Sequence, residues 1–453
     1  MYDTETLAGL AVLKSALHDG DAFMATAALE ELYPAQILEH WSEFAAEHRL
    51  PILTLLSPAD AAEVFSHLEE SEQAELLEAL PPWRVKELLE ELSLDDLADT
   101  INAIEEENPA QAEALLRQLD PETRAEVEEL TEYDEDEAGG IMTSEYIAVR
   151  DAMRVEEVFR FLRREAPDAE QIYVIYVVGA TEQLEGVLTL RDLIVADPRT
   201  RVSEIMNPDV IYVRDDTDQE EVAGLMADYN FTVLPVVDEY KKLVGIVTID
   251  DVVDVIEKEA TEDIYRQGAV ESPDLIYSKS SVWELWSARV RWLVIMIITG
   301  SLSVNILSGF ESVLEAVTAL AFYITVLVGT GGNTGNQAAT MIVRALATRD
   351  VELNDWWRIL RKELGVGLLL SLTLATLISI KVLIDGQNEL LLVVGISLGL
   401  VVLLANIVAA MLPLILRRLR LDPALISNPL ITTSIDVIGV LTYLSMARWL
   451  LNV

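Results

Sequence analysis

The sequence predicts a multidomain membrane protein: an α-helical, superhelical N-terminal domain, a duplicated α/β module, a connecting helix and a five-helix transmembrane domain. Three observations support this architecture. The acidic residues are concentrated before residue 281, a motif pattern recurs within that part, and five apolar stretches follow it. The domain bounds expected from these changes are 1–135, 136–257, 258–281 and 282–453.

The charge of the chain changes abruptly where the apolar part begins. The first 280 residues contain 20 basic and 66 acidic residues, a net charge of −46, whereas the remainder contains 12 basic and 11 acidic residues. Because an acidic surface repels phosphates, we expect no nucleic-acid partner. The acidic residues either only solvate the surface or form binding sites for cations. The chain has no cysteine, which excludes disulfides and thiolate metal sites.

Five stretches are apolar enough to cross a bilayer as helices, which takes about 20 residues each. The second contains a glycine-rich run, which we expect to interrupt the helix. The stretches lie at about 290–308, 314–346, 364–384, 390–416 and 425–450.

The charges between these stretches indicate their orientation. Arg289 and Arg291 precede the first stretch, and basic residues cluster between the second and third stretches and between the fourth and fifth. The other two connections carry mainly acids. Because basic loops stay in the cytoplasm, this alternation places the N-terminal domains in the cytosol and the C-terminus outside. We therefore expect a multi-pass protein of the cytoplasmic membrane.

The N-terminal 130 residues contain a series of short helical segments. Ser57-Pro58 and Asp120-Pro121 match the cap and the first position of a helix. We expect a helical stack in which prolines interrupt the leucine-rich runs, namely Pro51, Pro58, Pro81, Pro82, Pro109 and Pro121.

Residues 138–257 contain a duplication. The tripeptide Ile-Met-Thr at 141–143 recurs as Ile-Met-Asn at 205–207, and the segment 184–189 recurs at 243–248. The first copy is longer by about five residues, which we place near residues 164–170.

The two copies, at about 138–200 and 201–257, resemble a pair of CBS domains, intracellular modules that sense small ligands. Thr189, Arg191 and Asp192 match the place where many CBS domains hold a nucleotide ribose. A purely structural pair is the alternative.

An acidic residue lies in the middle of the fifth stretch. A carboxylate at this depth costs about 2.5–3.5 kcal/mol on insertion scales. No basic residue of the stretch lies within two turns of Asp436. We therefore predict that its carboxylate faces a cation or water, with a structural hydrogen bond as the alternative.

The glycine-rich run of the second stretch is also polar. Residues 329–337, Gly-Thr-Gly-Gly-Asn-Thr-Gly-Asn-Gln, place amides and hydroxyls at membrane depth. Such groups are tolerated where they line a water-filled cavity. Asn428 and Pro429 open the fifth stretch in a similar setting. We predict that both segments line a pore, and close helix packing through the glycines is the alternative.

These candidates offer only oxygen ligands, which favours a hard cation such as Mg²⁺, Ca²⁺ or Mn²⁺. A single carboxylate suits a Mg²⁺ ion that keeps its waters.

Three other classes of protein remain open. The chain could be a carrier that couples Mg²⁺ to protons or sodium through Asp436, or a sensor that does not transport. An enzyme is the least favoured, because the polar clusters offer no nucleophile–base pair.

Several motifs together resemble the MgtE magnesium channels. They are Gly-Gly-Asn-Thr-Gly-Asn-Gln-Ala-Ala-Thr at 331–340, Asp-Pro-Ala at 422–424, Ser-Asn-Pro at 427–429 and Asp436. The order of the domains agrees, so the resemblance covers nearly the whole chain. It implies a homodimer in the lipid bilayer with a Mg²⁺-selective pore on its two-fold axis, used for magnesium uptake and homeostasis.

The resemblance also implies which residues bind Mg²⁺. In the pore, Asp436 of each subunit would bind the hydrated ion near Gly332, Asn336 and Asn428. Cytosolic Mg²⁺ would bind among the N-terminal domain, the CBS pair and the connecting helix, called the plug helix, and would hold the pore shut. The regulatory residues implied are Glu63, Asp95, Asp96, Asp99, Gly140, Asp218, Glu220, Ala227, Asn230, Asp251, Asp254, Glu259, Glu262 and Asp263.

Two positions depart from the family pattern. Asn230 stands where relatives can carry Asp, which would weaken one regulatory site. Val174 stands where an aromatic residue can contact adenine, which argues against ATP as a ligand of the CBS pair. Asp192 and Phe231 would still fit ATP, together with Thr189 and Arg191.

Overall fold

The computed structural model describes residues 4–165, 171–271, 277–278, 280–348, 350–419 and 428–452. It divides into two compact units, residues 1–256 and 257–453. The first unit contains the N-terminal helices and both repeats, and the second contains the apolar helices.

The N-terminal part is a stack of helices, as its interrupted leucine runs predict. Five prolines occupy the first position of a helix in this part, among them Pro58 and Pro121. The hydroxyl of Ser57 accepts a hydrogen bond from the backbone N–H of Asp60 at 3.2 Å and so caps one of these helices. The helices are α1 (Thr4–Asp19), α2 (Ala22–Leu29), α3 (Pro34–Glu39), α4 (Ala46–Leu55), α5 (Pro58–Ser66), α6 (Glu70–Ala79), α7 (Pro82–Glu91), α8 (Leu94–Glu107), α9 (Pro109–Leu116) and α10 (Pro121–Leu130).

One proline does not interrupt its helix. Pro51 lies inside α4, so the interruption expected there is wrong. The neighbouring side chains of Ile52 and Leu53 are 0% and 1% exposed. Their burial holds the helix together despite the one backbone hydrogen bond that a proline cannot donate.

A buried arginine closes the C-terminal end of α4. Arg84 on α7 is 3% exposed, and its Nη2 donates to the carbonyl oxygens of Leu53 and Leu56 at 2.7 Å each. The last carbonyls of a helix have no partner within the helix. The guanidinium supplies these missing hydrogen bonds and ties α7 to α4.

The two repeats form three-stranded sheets of the same topology, which confirms the duplication. In each sheet the first strand runs parallel to the second, and the second is antiparallel to the third. The strands are β1 (Ala148–Arg150), β2 (Val174–Val178), β3 (Leu184–Thr189), β4 (Val213–Arg214), β5 (Val233–Val237) and β6 (Leu243–Thr248), and the helices are α11 (Val155–Glu165), α12 (Leu190–Val195), α13 (Val202–Ile205) and α14 (Gln219–Tyr229).

Each repeated tripeptide pairs with a strand of the other repeat. Thr143 and Ile246 exchange two backbone hydrogen bonds of 2.9 Å. Val187 and Asn207 do the same at 2.8 and 2.9 Å. The recurrence of the tripeptide therefore reflects a reciprocal contact that joins the two repeats.

The N-terminal helices and the second repeat share one hydrophobic core. Leu97 and Ile101 of α8 belong to the same buried cluster as Val252 and Val255. This packing brings the first turns of α8 to the start of α15 (Ile249–Gln267).

The connecting helix begins earlier in the chain than the sequence predicts. It begins in the second repeat and continues without a break to Gln267, so the connecting helix does not start anew near residue 258. No glycine or proline occurs between residues 249 and 267 to end it. Residues 272–276, in the remainder of the predicted connector, and residues 166–170, where the first repeat is longer, lie outside the described residues.

The second unit contains the apolar helices. Four of them, Val282–Gly309, Leu353–Ile384, Asn388–Arg418 and Pro429–Leu451, are long and apolar enough to cross a membrane. The helix that carries the polar run is as long but is not among these four. The helices are α16 (Val282–Gly309), α17 (Glu311–Ala316), α18 (Ala321–Ala347), α19 (Trp356–Ile384), α20 (Leu391–Arg418) and α21 (Asn428–Leu451).

The second predicted span differs from its expectation in two ways. It begins at Ala321 rather than near residue 314, because α17 is a separate short helix. It also continues unbroken through residues 329–337, so the glycines do not interrupt it. Helix α18 remains unbroken despite its glycines because it packs against both α20 and α21.

Candidate functional site

The acidic residue of the last helix is partly enclosed by the helix bundle. Asp436 is half-buried on α21. Among the described residues, none forms an ion pair or a hydrogen bond with its carboxylate. A carboxylate at membrane depth is stable only when something else compensates its charge. The structure therefore favours contact with a cation or water over a structural hydrogen bond.

The glycines of α18 allow α21 to approach closely. A Cβ atom on Gly335 would lie 2.1 Å from Cδ1 of Ile435, and one on Gly331 would lie 3.0 Å from its Cγ2. A Cβ atom on Gly332 would lie 3.1 Å from Cγ2 of Thr432. Close packing thus accounts for part of the glycine-rich run.

One polar residue of the run, Asn336, contacts the same part of α21. Asn336 Nδ2 donates a hydrogen bond to Oγ1 of Thr432 at 3.1 Å. Thr432 precedes Asp436 by one helical turn, so the two side chains lie on one face of α21. The structure therefore groups Gly332 and Asn336 with the turn that leads to Asp436. Asn428 begins α21, but its side chain lies outside the described residues.

Five aspartates lie together in the first unit, where α8 meets α15. Asp95, Asp96 and Asp99 occupy the first turns of α8, and Asp250 and Asp251 open α15. The charges of Asp95, Asp96 and Asp250 all act on Asp251. We call these five residues the aspartate cluster. It joins four of the residues named from the sequence with Asp250, which the sequence analysis missed although it is adjacent to Asp251.

Desolvation and mutual repulsion raise the pKa values in the aspartate cluster. Desolvation, followed by the charge of Asp95, raises the pKa of Asp251 to about 8. Desolvation, followed by the charges of Asp95 and Asp96, raises the pKa of Asp99 to about 7. Desolvation is also the main cause of the raised pKa values of Asp95 and Asp96. A cation bound here would favour the ionised carboxylates.

Neighbouring groups orient this cluster. Thr248 Oγ1 donates to Oδ2 of Asp251 at 2.5 Å. The backbone N–H of Leu94 donates to the carboxylate of Glu145 at 3.4 Å, a contact that nothing in the sequence signalled. Oδ1 of Asp95 is buried without a hydrogen-bond partner among the described residues, so it is available as a ligand atom.

The aspartate cluster fits a hydrated ion better than a stripped one. Within the described part of the chain, no three acidic or histidine side chains already converge at metal-binding distance. Mg²⁺ usually keeps several waters and binds through one or two carboxylates. Water molecules could therefore bridge the ion to the remaining carboxylates.

Two further residues named from the sequence lie at the border of the aspartate cluster. Glu63 is exposed on α5, whose last residue, Ser66, and the following His67 lie beside Asp96. Asp254 is exposed on α15, one turn after the pair of aspartates.

A second acidic group lies at the start of α14. Asp218 caps this helix, its Oδ1 accepting from the backbone N–H of Glu220 at 2.8 Å. The backbone N–H of Gly139 donates to the carbonyl of Asp215 at 2.9 Å, and Glu137 pairs with Asp218 in an antiparallel bridge. Residues 137–139, directly before Gly140, therefore run alongside residues 215–218.

Ala227 and Asn230 lie at the other end of α14. Eight residues of helix, about 12 Å at 1.5 Å per residue, separate Ala227 from Gln219. Asn230 has φ 55°, the left-handed conformation that ends many helices, and its N–H donates to the carbonyl of Ala227 at 3.4 Å. This pair is therefore separate from the group around Asp218.

The three acids of the plug segment lie on α15 in the second unit. Glu262 forms an ion pair with Arg266, and Glu259 and Asp263 are partly buried. Their spacing along the helix places Glu259, Glu262 and Asp263 on one face.

The nucleotide candidates fall into two groups. Thr189 caps α12, and its hydroxyl and backbone N–H both donate to Oδ2 of Asp192, at 2.6 and 2.9 Å. These hydrogen bonds lower the pKa of Asp192. Arg191 is exposed beside them. Phe231, in the second repeat, stacks on Tyr229 with ring centres 5.5 Å apart.

Family models match the N-terminal helices, the two repeats and part of the apolar region. One described as a divalent cation transporter matches residues 324–446. One described as the MgtE intracellular N domain matches residues 32–136, and the CBS domain matches residues 138–199 and 202–258.

Two curated relatives match nearly the whole chain. The magnesium transporter MgtE of Thermus thermophilus is 65% identical over 440 residues, 97% of this chain and 98% of the relative. That of Bacillus subtilis is 32% identical over 432 residues, 95% of each chain.

Two solved structures resemble the soluble part. The cytosolic domain of the Mg²⁺ channel MgtE in complex with ATP is 64% identical, with a TM-score of 0.53, over 54% of this chain and 99% of that one. The soluble part of a magnesium transporter is 32% identical, with a TM-score of 0.51, over 56% of this chain and 99% of that one.

Proposed function

Because the chain belongs to the MgtE family of magnesium transporters, we propose that it is a Mg²⁺-selective channel of the cytoplasmic membrane, closed by cytosolic Mg²⁺. The observation that carries this proposal is the carboxylate of Asp436, which has no partner among the residues that the structure describes and lies on the helix that packs against the polar run of α18. The relatives that match nearly the whole chain are transporters, so the chain is not an enzyme.

The pore carries a hydrated Mg²⁺ ion at Asp436. One carboxylate per chain is too few to strip Mg²⁺ of its waters, which it loses reluctantly. Asn336 and the backbone of Gly332 accept hydrogen bonds from those waters, and Asn428 completes the site. In a homodimer with the pore on its two-fold axis, a second Asp436 doubles the negative charge. The structure supports this arrangement through the contact of Asn336 with Thr432 at 3.1 Å.

The aspartate cluster is the main regulatory site. Without a cation, Asp95 and Asp251 repel each other when both are ionised, which loosens the contact between the N-terminal helices and the second repeat. Bound Mg²⁺ replaces this repulsion by attraction and stabilises the packed state. Mg²⁺ favours closure only to the extent that the closed state binds it better. The raised pKa values of Asp99, about 7, and Asp251, about 8, support the presence of this repulsion.

Further ions bind at the remaining acids. Gly140 with Asp218 and Glu220 forms one site, and the carbonyl of Ala227 with Asn230 forms a weaker one. Glu63 and Asp254 extend the aspartate cluster, and the plug acids Glu259, Glu262 and Asp263 couple the cytosolic domains to the pore. Several sites that bind together make closure steep in Mg²⁺ concentration.

The topology follows from the charges. Cytosolic placement of the first 280 residues puts their net charge of −46 on the side where Mg²⁺ is sensed. In this arrangement α18 is the second of five spans, and the C-terminus lies outside.

ATP is a second ligand of the CBS pair. The observation that favours it is the complex of a 64% identical cytosolic domain with ATP. Asp192, oriented by Thr189, would hold the ribose, Arg191 the phosphates and Phe231 the base. Because Val174 offers no aromatic ring to adenine, we expect weak binding.

Mg²⁺ uptake into liposomes that contain the full-length protein tests the proposal. We expect uptake driven by the Mg²⁺ gradient and the membrane potential, lost in Asp436→Asn and retained in Glu389→Gln, which removes an exposed carboxylate between α19 and α20. Uptake that requires a proton gradient would indicate a coupled carrier. Native protein without uptake at any Mg²⁺ concentration would indicate a sensor.

A further inference from the structure

The two ends of the Asn336 amide have different surroundings. Its Nδ2 donates a hydrogen bond to Oγ1 of Thr432 at 3.1 Å. Its Oδ1 is buried and has no hydrogen-bond partner among the described residues. A buried acceptor without a partner costs free energy, so such an atom usually has a ligand, ion or water to receive.

Threonine hydroxyls in these helices usually donate to their own backbone. Thr334 donates to the carbonyl of Thr330 at 2.8 Å, and Thr433 donates to that of Pro429 at 2.9 Å. A hydroxyl has one proton and two lone pairs. A hydroxyl that donates its proton to a carbonyl of its own helix can only accept a hydrogen bond from a side chain of a neighbouring helix. An acceptor at Thr432 therefore selects the amide orientation in which Nδ2 of Asn336 points to it.

This orientation matters for a hydrated cation. The waters around Mg²⁺ turn their oxygens to the ion and their hydrogens outward, so the wall of the site must offer acceptors. The amide oxygen of Asn336 meets this need, whereas its NH₂ group would oppose it. Thr432 lies one turn before Asp436 on the same face of α21, so the amide that bonds to Thr432 lies about one helical turn from the position of the carboxylate.

We propose that Thr432 is a positioning residue of the ion site: its hydroxyl oxygen holds the Asn336 side chain with the amide oxygen turned toward the hydrated cation. The inference rests on the proposed function and extends it to a residue that does not itself touch the ion. Loss of the acceptor frees the amide to rotate, so the waters of the ion lose one acceptor. A neutral hydrogen bond of this kind corresponds to roughly two- to ten-fold in affinity.

Thr432→Val tests this inference with little change in shape. Valine keeps the methyl group that packs on Gly332, where a Cβ atom would lie 3.1 Å away, and removes only the hydroxyl. Thr432→Ser keeps the hydroxyl and loses the methyl group. Thr433→Val is the matched control, because it makes the same change one residue later, at a hydroxyl that bonds to its own helix.

The measurement is the Mg²⁺ concentration for half-maximal uptake into liposomes, with the native chain and the three variants. We expect Thr432→Val to raise this concentration roughly two- to ten-fold, whereas Thr432→Ser and Thr433→Val stay near the native value. The cytosolic Mg²⁺ concentration that closes the channel should not change in any variant.

The possible outcomes distinguish a failure of the positioning role from a failure of the proposed function on which it rests. Native protein without Mg²⁺ uptake would overturn the proposed function, and the inference with it. Native uptake together with an unchanged half-maximal concentration in Thr432→Val would overturn only the positioning role. Equal losses in Thr432→Val and Thr433→Val, or no rescue by serine, would also overturn it, because packing rather than the acceptor would then be the cause.

Discussion

Asp95 on α8 and Asp251 on α15 face each other where the N-terminal helices pack on the second repeat. Desolvation at this contact, followed by the charge of Asp95, raises the pKa of Asp251 to about 8. The same packing buries apolar side chains of both helices in one core. Hydrophobic burial thus holds together two carboxyl groups that repel each other once both are ionised.

The stability of this contact should depend on pH when no divalent cation is present. The pKa of Asp99 is raised to about 7 and that of Asp251 to about 8, whereas an aspartate of the unfolded chain titrates near pH 4. The folded state therefore binds more protons than the unfolded chain between about pH 4 and about pH 8. The stability that depends on these protons is complete below this window and is lost as the pH rises through it.

Thermal unfolding of the full-length protein in detergent with EDTA checks this prediction. We expect a higher midpoint for the cytosolic transition at pH 6 than at pH 8, and a smaller difference in Mg²⁺. Asp251→Asn should reduce the pH dependence, whereas Glu78→Gln, at an exposed acid of α6, should retain it. A native midpoint that does not change between pH 6 and pH 8 would refute the account.

Removal of the buried arginine should destabilise the N-terminal stack. Arg84→Ala leaves the carbonyls of Leu53 and Leu56 without the hydrogen bonds of the guanidinium. We expect this loss to lower the free energy of unfolding by about 2–4 kcal/mol. Arg84→Lys should recover only part of this stability, because the ammonium group of lysine cannot reproduce the planar set of donors of the guanidinium. Arg124→Ala, which removes an exposed ion pair with Glu128, should change the unfolding midpoint little. Equal midpoints for Arg84→Ala and Arg124→Ala would contradict this prediction.

A methyl group on Gly335 should disturb the contact of α18 with α21. It would lie 2.1 Å from Cδ1 of Ile435, so the side chain or the helix must move. We expect Gly335→Ala to lower Mg²⁺ uptake, and the added Ile435→Val, which removes Cδ1, to restore much of it. Gly329→Ala is the control, because no atom lies within 4 Å of a Cβ there. A loss of uptake in Gly329→Ala equal to that in Gly335→Ala would count against the packing explanation.

A carboxylate at position 230 should strengthen one regulatory site. Asn230→Asp keeps a residue that tolerates the left-handed conformation, φ 55°, and adds a charge beside the carbonyl of Ala227. The negative end of the α14 dipole makes this charge unfavourable without a cation. We therefore expect a lower thermal midpoint in EDTA and a larger increase of the midpoint on addition of Mg²⁺. Asn230→Gly should not show this larger increase of the thermal midpoint. An increase in Asn230→Gly equal to that in Asn230→Asp would mean that the added charge is not responsible.

Local signals predicted much of the fold. Prolines at first helical positions, such as Pro58 behind its Ser57 cap, depend only on neighbouring residues and were predicted correctly. The repeat was readable because two copies fold with the same strand order. Pro51 was misread because the burial of Ile52 and Leu53 outweighs its missing hydrogen bond.

The sites depend on contacts between distant residues, and these were less predictable. The pairing of Asn336 with Thr432 spans 96 positions of sequence, and the charge of Asp250 acts on Asp95 across a domain contact. No local pattern specifies such contacts. The resemblance to a family supplied most of the residue list, whereas the roles of Thr432 and Asp250 required the packing of the helices.

In the proposed mechanism, Mg²⁺ bound at the aspartate cluster closes a pore that depends on Asp436. The most direct test is the Mg²⁺ current through native and Asp251→Asn channels while the Mg²⁺ concentration on the cytosolic face is raised. We predict that the native current falls steeply, that the current of Asp251→Asn falls less steeply and at higher Mg²⁺, and that Asp436→Asn passes no current at any concentration. An Asp251→Asn channel with the native midpoint and steepness of closure would contradict the account.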